Sequence, residues 1–111
     1  MRAPLPQLSS EARQEALARS IQVRQYRAGV RKELAAGTRN LRDVLNAAQA
    51  DTPEGEMLAR MKVRDVLESI PHIGPVRATA AMESVGVAPN RRLRGLGPRQ
   101  ISELAERFEG R

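Results

Sequence analysis

Two helices in this chain open on the same dipeptide, at Gly74-Pro75 and Gly97-Pro98. A proline at the first helical position is already set to helical φ and lacks only an N–H that would have gone unbonded. Behind the first opening, Ala78, Ala81, Met82 and Val85 fall at i, i+3, i+4 and i+7; behind the second, Ile101, Leu104, Ala105 and Phe108 repeat that spacing. Gly86 and Gly110 stand where the two helices stop. The small side chains at 78 and 81 allow another helix to approach closely. No strand-type alternation of useful length competes with these patterns, so the fold class is all-α.

The rest of the chain reads the same way. Residues 1–9 carry two prolines and are expected as a flexible arm. Ser9 or Ser10 can cap a long helix over residues 10–36, with Glu11 in its first turn and Gly37 beyond its end. Its apolar face is thin: Val23, Tyr26, Val30 and Leu34. Arg13, Arg19, Arg24, Arg27, Arg31 and Lys32 outnumber its carboxylates, so it is expected to project from the domain or lie across it. Residues 38–111 are expected as a compact helical domain, with its main module at about 61–109. There Asn40 can cap a second helix carrying Leu41, Val44, Leu45 and Ala48, with Asp43 at the third position. The run Asp51-Thr-Pro-Glu-Gly-Glu is expected as a break, and a third helix runs from Met57 or Val63 to Ser69 before Pro71.

Composition narrows the function. There is one Phe, one Tyr and no Trp, so the core must be small and aliphatic. No apolar run approaches the roughly 20 residues of a membrane span, and residues 1–8 do not resemble a secretory signal. Zero cysteines exclude thiolate metal sites and fit a reducing, cytoplasmic compartment. His72 is the single histidine and cannot build an ordinary zinc site by itself. No cofactor loop occurs, no lysine follows Lys62, and no catalytic set is visible, so an enzyme is not expected. A net charge of +6 points to a polyanionic partner.

Two segments can meet such a partner. Ile70-Pro71-His72-Ile73-Gly74-Pro75-Val76-Arg77 fits a helix–hairpin–helix type of pattern. A helix beginning on a glycine exposes its first amides and the positive end of its dipole, and a side chain at position 74 would block a phosphate. Arg77 can add a charge-assisted bond. An ordinary helical corner with a glycine would read alike. The second segment is Arg91-Arg92-Leu93-Arg94-Gly95-Leu96-Gly97, followed by Arg99. Its arginines and glycines make either a phosphate clamp or a solvated loop.

Met61-Lys62-Val63, the run from Leu67 to Gly74, and the Arg91–Gly97 loop through Gln100-Ile101 resemble the actinobacterial integration host factor family. The resemblance covers most of the chain and implies a long basic helix followed by a helix–two-turn–helix module. It implies a nucleoid-associated protein that binds double-stranded DNA with little sequence preference, affects DNA topology and compaction, and assists a phage integrase; a monomer is expected. It carries DNA contact onto Arg91, Arg92, Arg94, Gly95 and Gly97 and onto the hairpin backbone from Pro71 to Val76, with His72 where many members have glycine. The segment 51–60 is longer and more acidic than the family's usual connector. The rival reading is a ribosomal-RNA-binding structural protein of the same helical class.

Overall fold

The computed structural model describes residues 9–109. The expected arm, Ser9 apart, and the Gly110 stop lie outside those residues. Among them are six α-helices: α1 (Ser10–Ala36), α2 (Leu41–Ala47), α3 (Pro53–Ala59), α4 (Val63–Glu68), α5 (Pro75–Val85) and α6 (Pro98–Phe108), with a 3-10 turn at Leu93–Gly95. No helix among them is long and apolar enough to cross a membrane.

Local signals set most of the helix ends. Ser9 Oγ accepts from Ala12 N–H at 3.0 Å, and Asn40 Oδ1 accepts from Asp43 N–H at 2.8 Å. At the end of α1, Gly37 takes φ +75°, while Thr38 N–H closes back on Glu33 O at 3.0 Å. The expected break over residues 51–56 is instead the start of α3. Thr52 Oγ1 accepts from Gly55 N–H at 3.0 Å, and Pro53 fills the first helical position, so a Thr-Pro pair opens this helix. Gly55 is buried because α3 packs directly on the preceding turn. A Cβ there would stand 2.7 Å from Ala47 O and closer still to Ala50 O. Of the two starts considered for the next helix, Val63 is the real one, and Met57 belongs to α3.

The core is aliphatic. Leu45, Leu58, Leu67, Leu93 and Leu104 are fully buried, together with Val30, Val44, Val63 and Val66. Each such leucine contributes about 1.5–3 kcal/mol of burial energy. From α1, Val30 and Leu34 enter this core, whereas residues 13–22 are exposed, so the first half of the helix projects. That accounts for a molecule of 58 × 32 × 26 Å. One rung of antiparallel pairing ties the entry of α4 to the arginine loop: Val63 N–H donates to Arg91 O at 3.0 Å and Leu93 N–H to Met61 O at 2.9 Å.

Helices α5 and α6 run antiparallel. Gln100, in the first turn of α6, donates to Gly86 O at the end of α5 (3.2 Å), while Arg77 and Ala80 of α5 border Arg107 and Phe108 at the other end of α6. The two Gly-Pro openings therefore lie toward opposite ends of the pair. They are separated by the length of α5, about 16 Å at 1.5 Å per residue.

Candidate nucleic-acid interface

The arginine loop is pinned by its own guanidinium groups. Arg91 Nη1 donates to Gly95 O at 3.0 Å, and Arg92 Nη1 donates to Arg60 O at 2.8 Å. Arg94 is used most fully. It donates to Ala48 O and Ala50 O at 3.0 Å each, and pairs with Glu56 Oε1 at 2.7 Å. Arg94 thus braces the α2–α3 turn against the loop, a role that its place among arginines does not advertise. Gly95 also has an internal reason: a Cβ there would lie 2.7 Å from Arg91 Cδ, so the glycine lets the Arg91 side chain cross it.

The loop stands among cations from distant parts of the chain. Arg27 Nε donates to Met57 O at 2.7 Å, which fixes α1 against the last turn of α3. Partial burial pushes the Arg27 guanidinium below its usual range, and the charges of Arg31, Arg92 and Arg60 push it the same way. It stays charged at any physiological pH. Lys62 lies directly opposite Arg92 across the antiparallel rung. Like charges in that position repel unless an anion lies between them. Among the described residues, no carboxylate forms an ion pair with Arg27, Arg31, Arg60, Lys62, Arg91 or Arg92.

The hairpin at the other end of α5 is built from backbone. Pro71, His72, Gly74, Pro75, Val76 and Arg77 are exposed. Ile73 is buried at 4 % exposure, so its side chain belongs to the core and cannot be a surface contact. No side chain caps α5, and helix geometry leaves the Val76 and Arg77 amides without intrahelical acceptors. Gly74 has φ −92°, which any residue can adopt, and a Cβ there would meet nothing within 4 Å. The fold does not require this glycine. His72, by contrast, holds φ +68° without being glycine. Arg77 Nη1 donates to its carbonyl at 3.3 Å. At the start of α6, Gly97 N–H is taken by Gln100 Oε1 at 3.0 Å, while exposed Arg99 pairs with Glu103 at 3.4 Å.

The structure therefore brings Arg91 and Arg92 together with Arg27, Arg31, Arg60 and Lys62, and sets Pro71 to Arg77 apart from them. The positions of Arg60 and Lys62 could have been suspected from the sequence, because both flank the Met61 that opens the recognisable Met-Lys-Val segment. The approach of α1 to the loop spans too many residues to be read from spacing.

Two ends of an antiparallel helix pair, each opened by a turn, describe a helix–two-turn–helix module, and residues 34–108 match the S13-like H2TH domain family. Within that class, the chain belongs to the integration host factor family. It is 43% identical over 105 residues to the integration host factor of Mycolicibacterium smegmatis, covering 95% of this chain and 96% of that one. Against the Streptomyces coelicolor integration host factor it is 38% identical over 104 residues, covering 94% of each. The structure of sIHF bound to an 8 bp palindromic DNA is similar at a TM-score of 0.75 and 35% sequence identity, covering 82% of this chain and 98% of that chain.

Proposed function

We propose that this protein binds double-stranded DNA as a monomer, largely through the phosphate backbone and with little sequence preference. The observation that carries this reading is the cluster of Arg27, Arg31, Arg60, Lys62 and Arg92 at the arginine loop, to which no carboxylate pairs among the described residues. Such a cluster is held against its own repulsion by the fold and is relieved by a polyanion. Arg91, Arg92 and the cations around them supply charge, while the Arg99 amide in the first turn of α6 lies just beyond, that of Gly97 being taken by Gln100. The hairpin supplies the amides of Val76 and Arg77, the open backbone at Gly74, and the Arg77 guanidinium. Arg94 positions the loop. The two ends, about 16 Å apart, suit phosphates across a groove, whose width is about 12 Å for the major groove. Contacts of this kind position a protein without reading bases. Clamping of that sort at two places would alter DNA topology, compact it, and help a phage integrase assemble on it within the nucleoid.

The test is competition at fixed salt between a duplex and a structured RNA, with a salt titration of the winner. Neutralising on the order of five phosphates gives a log–log slope of about −4 to −5 for the duplex. Preference for the RNA would favour the ribosomal reading, to which the S13-like match lends weight. A slope near zero would exclude backbone clamping.

A further inference from the structure

His72 is the described non-glycine residue that takes a positive φ, +68°, in the hairpin. For a residue with a Cβ that conformation is unfavourable, and glycine adopts it freely. The side chain does not repay the strain inside the fold. It is exposed, and among the described residues neither imidazole nitrogen makes a hydrogen bond; His72 is held through its carbonyl, which accepts from Arg77. Strain kept at an exposed tip, with no internal partner, calls for an external one.

The surroundings say what kind. His72 borders a groove of about 850 Å³ with Arg39 from the α1–α2 turn, Arg42 from α2, and Arg107 and Glu109 from the end of α6; Arg77 of α5 reaches it from the other side. The carboxylate in that set, Glu109, is taken by Arg42 at 2.6 Å. No free carboxylate is left there to accept from an imidazolium. An anionic acceptor for it would come from outside, beside the exposed amides of Val76 and Arg77, where an anion is already favoured.

We infer that His72 is a protonation-gated phosphate ligand, so that duplex affinity rises on acidification. This rests on the DNA-binding reading above. Protonated, the ring donates to a phosphate oxygen as a cation. Neutral, it has no charge to offer, and the contact is lost. Binding therefore takes up a proton where the free ring is neutral. A histidine here, in place of glycine, makes the hairpin end pH-sensitive while the guanidinium groups at the loop end stay charged throughout.

The experiment measures binding of the full chain to one duplex by fluorescence anisotropy, at constant ionic strength, from pH 5.5 to 8.0. The variants are His72→Gly, His72→Gln and His72→Lys. The wild type should gain about three- to tenfold in affinity on acidification beyond any gain shown by His72→Gln, as expected for one exposed charge-assisted contact. Its salt slope should be steeper by about 0.9 at pH 5.5 than at pH 8.0. His72→Lys should hold the acid-side affinity at pH 8.0. His72→Gly should lose the pH dependence and melt no lower than wild type. Equal pH profiles for wild type and His72→Gln, with duplex still bound, would overturn the inference alone. A lower melting temperature for His72→Gly would overturn the claim that the imidazole does nothing for the fold. Failure of every variant to bind duplex at low salt would overturn the reading on which the inference rests.

Discussion

The arginine loop and the hairpin sit at opposite ends of α5 and are built in opposite ways. At the loop, side chains do the holding. Guanidinium groups lock onto carbonyls of the loop itself and of the α2 and α3 ends, and cations from three parts of the chain crowd together, with no carboxylate paired to Arg27, Arg31, Arg60, Lys62 or Arg92 among the described residues. At the hairpin there is little to hold. The backbone is exposed, a glycine leaves open space that the fold does not use, and the first amides of α5 have no cap. One end offers charge in fixed positions; the other offers amides that a ligand must approach closely. Charge acts over several ångströms and is screened by salt, whereas an amide contact fails if one methyl group intervenes. The two ends should therefore respond to different kinds of substitution.

The largest effect is expected at the loop. Replacing Arg60, Lys62 and Arg92 together by alanine should weaken duplex binding on the order of a hundredfold at physiological salt and flatten the salt slope by about 2 to 3. Relief of the Lys62–Arg92 repulsion across the rung opposes loss of the Arg92 bond to Arg60 O, so stability should change by no more than about 1 kcal/mol. Anisotropy titrations over a salt series, with a thermal melt, read both quantities. An unchanged salt slope would show that the cluster does not meet phosphates.

The hairpin calls for a steric change at constant charge. Gly74→Val fits φ −92° and meets nothing in the protein, so its stability cost should stay within about 1 kcal/mol of lost cap preference. It should nonetheless weaken duplex binding about tenfold, with the salt slope kept within roughly one unit of wild type. Wild-type affinity in a folded Gly74→Val protein would reduce the hairpin to a plain corner and leave the loop as the whole interface.

How much of this the sequence discloses depends on the range over which each feature is decided. Ser9, Asn40, Gly37 and Gly86 act on the residues next to them, and the helix ends they mark are where the spacing places them. The start of α3 was within reach too, since Thr52 and Pro53 are ordinary helix-opening residues. Gly55 hid it, because a glycine in mid-pattern reads as a turn. Its real cause is the close approach of the Ala47 and Ala50 carbonyls, which only packing reveals. The Gly-Pro openings were legible as helix starts. Their placement at opposite ends of an antiparallel pair was not, because it depends on how α5 and α6 dock. Equally hidden was the meeting of Arg27 with Arg60 and Arg92, residues more than thirty positions apart in the chain.

Arg94 gives the smallest expected change in binding and the clearest division of labour within the loop. The sequence ranks it with Arg91 and Arg92, but three of its N–H groups are committed to Ala48 O, Ala50 O and Glu56. Removing it leaves the carbonyls of the α2–α3 turn to partly excluded water and unties the loop from that turn. Arg94→Ala should therefore lower stability by about 1–2 kcal/mol, the worth of a few partly exposed hydrogen bonds to a charged group. At about 4–8 °C per kcal/mol for a domain near this size, thermal melts will resolve it. Glu56→Ala removes the ion pair but leaves both carbonyl bonds, and should shift the melt by no more than about 1 kcal/mol, as exposed pairs do. Duplex affinity of folded Arg94→Ala should fall less than about threefold, because Arg91 and Arg92 keep their own carbonyl partners at Gly95 and Arg60. A loss of affinity as large as that of the Arg60, Lys62 and Arg92 triple, with the melt unmoved, would place Arg94 on the phosphates and return the loop to the reading its sequence first suggests.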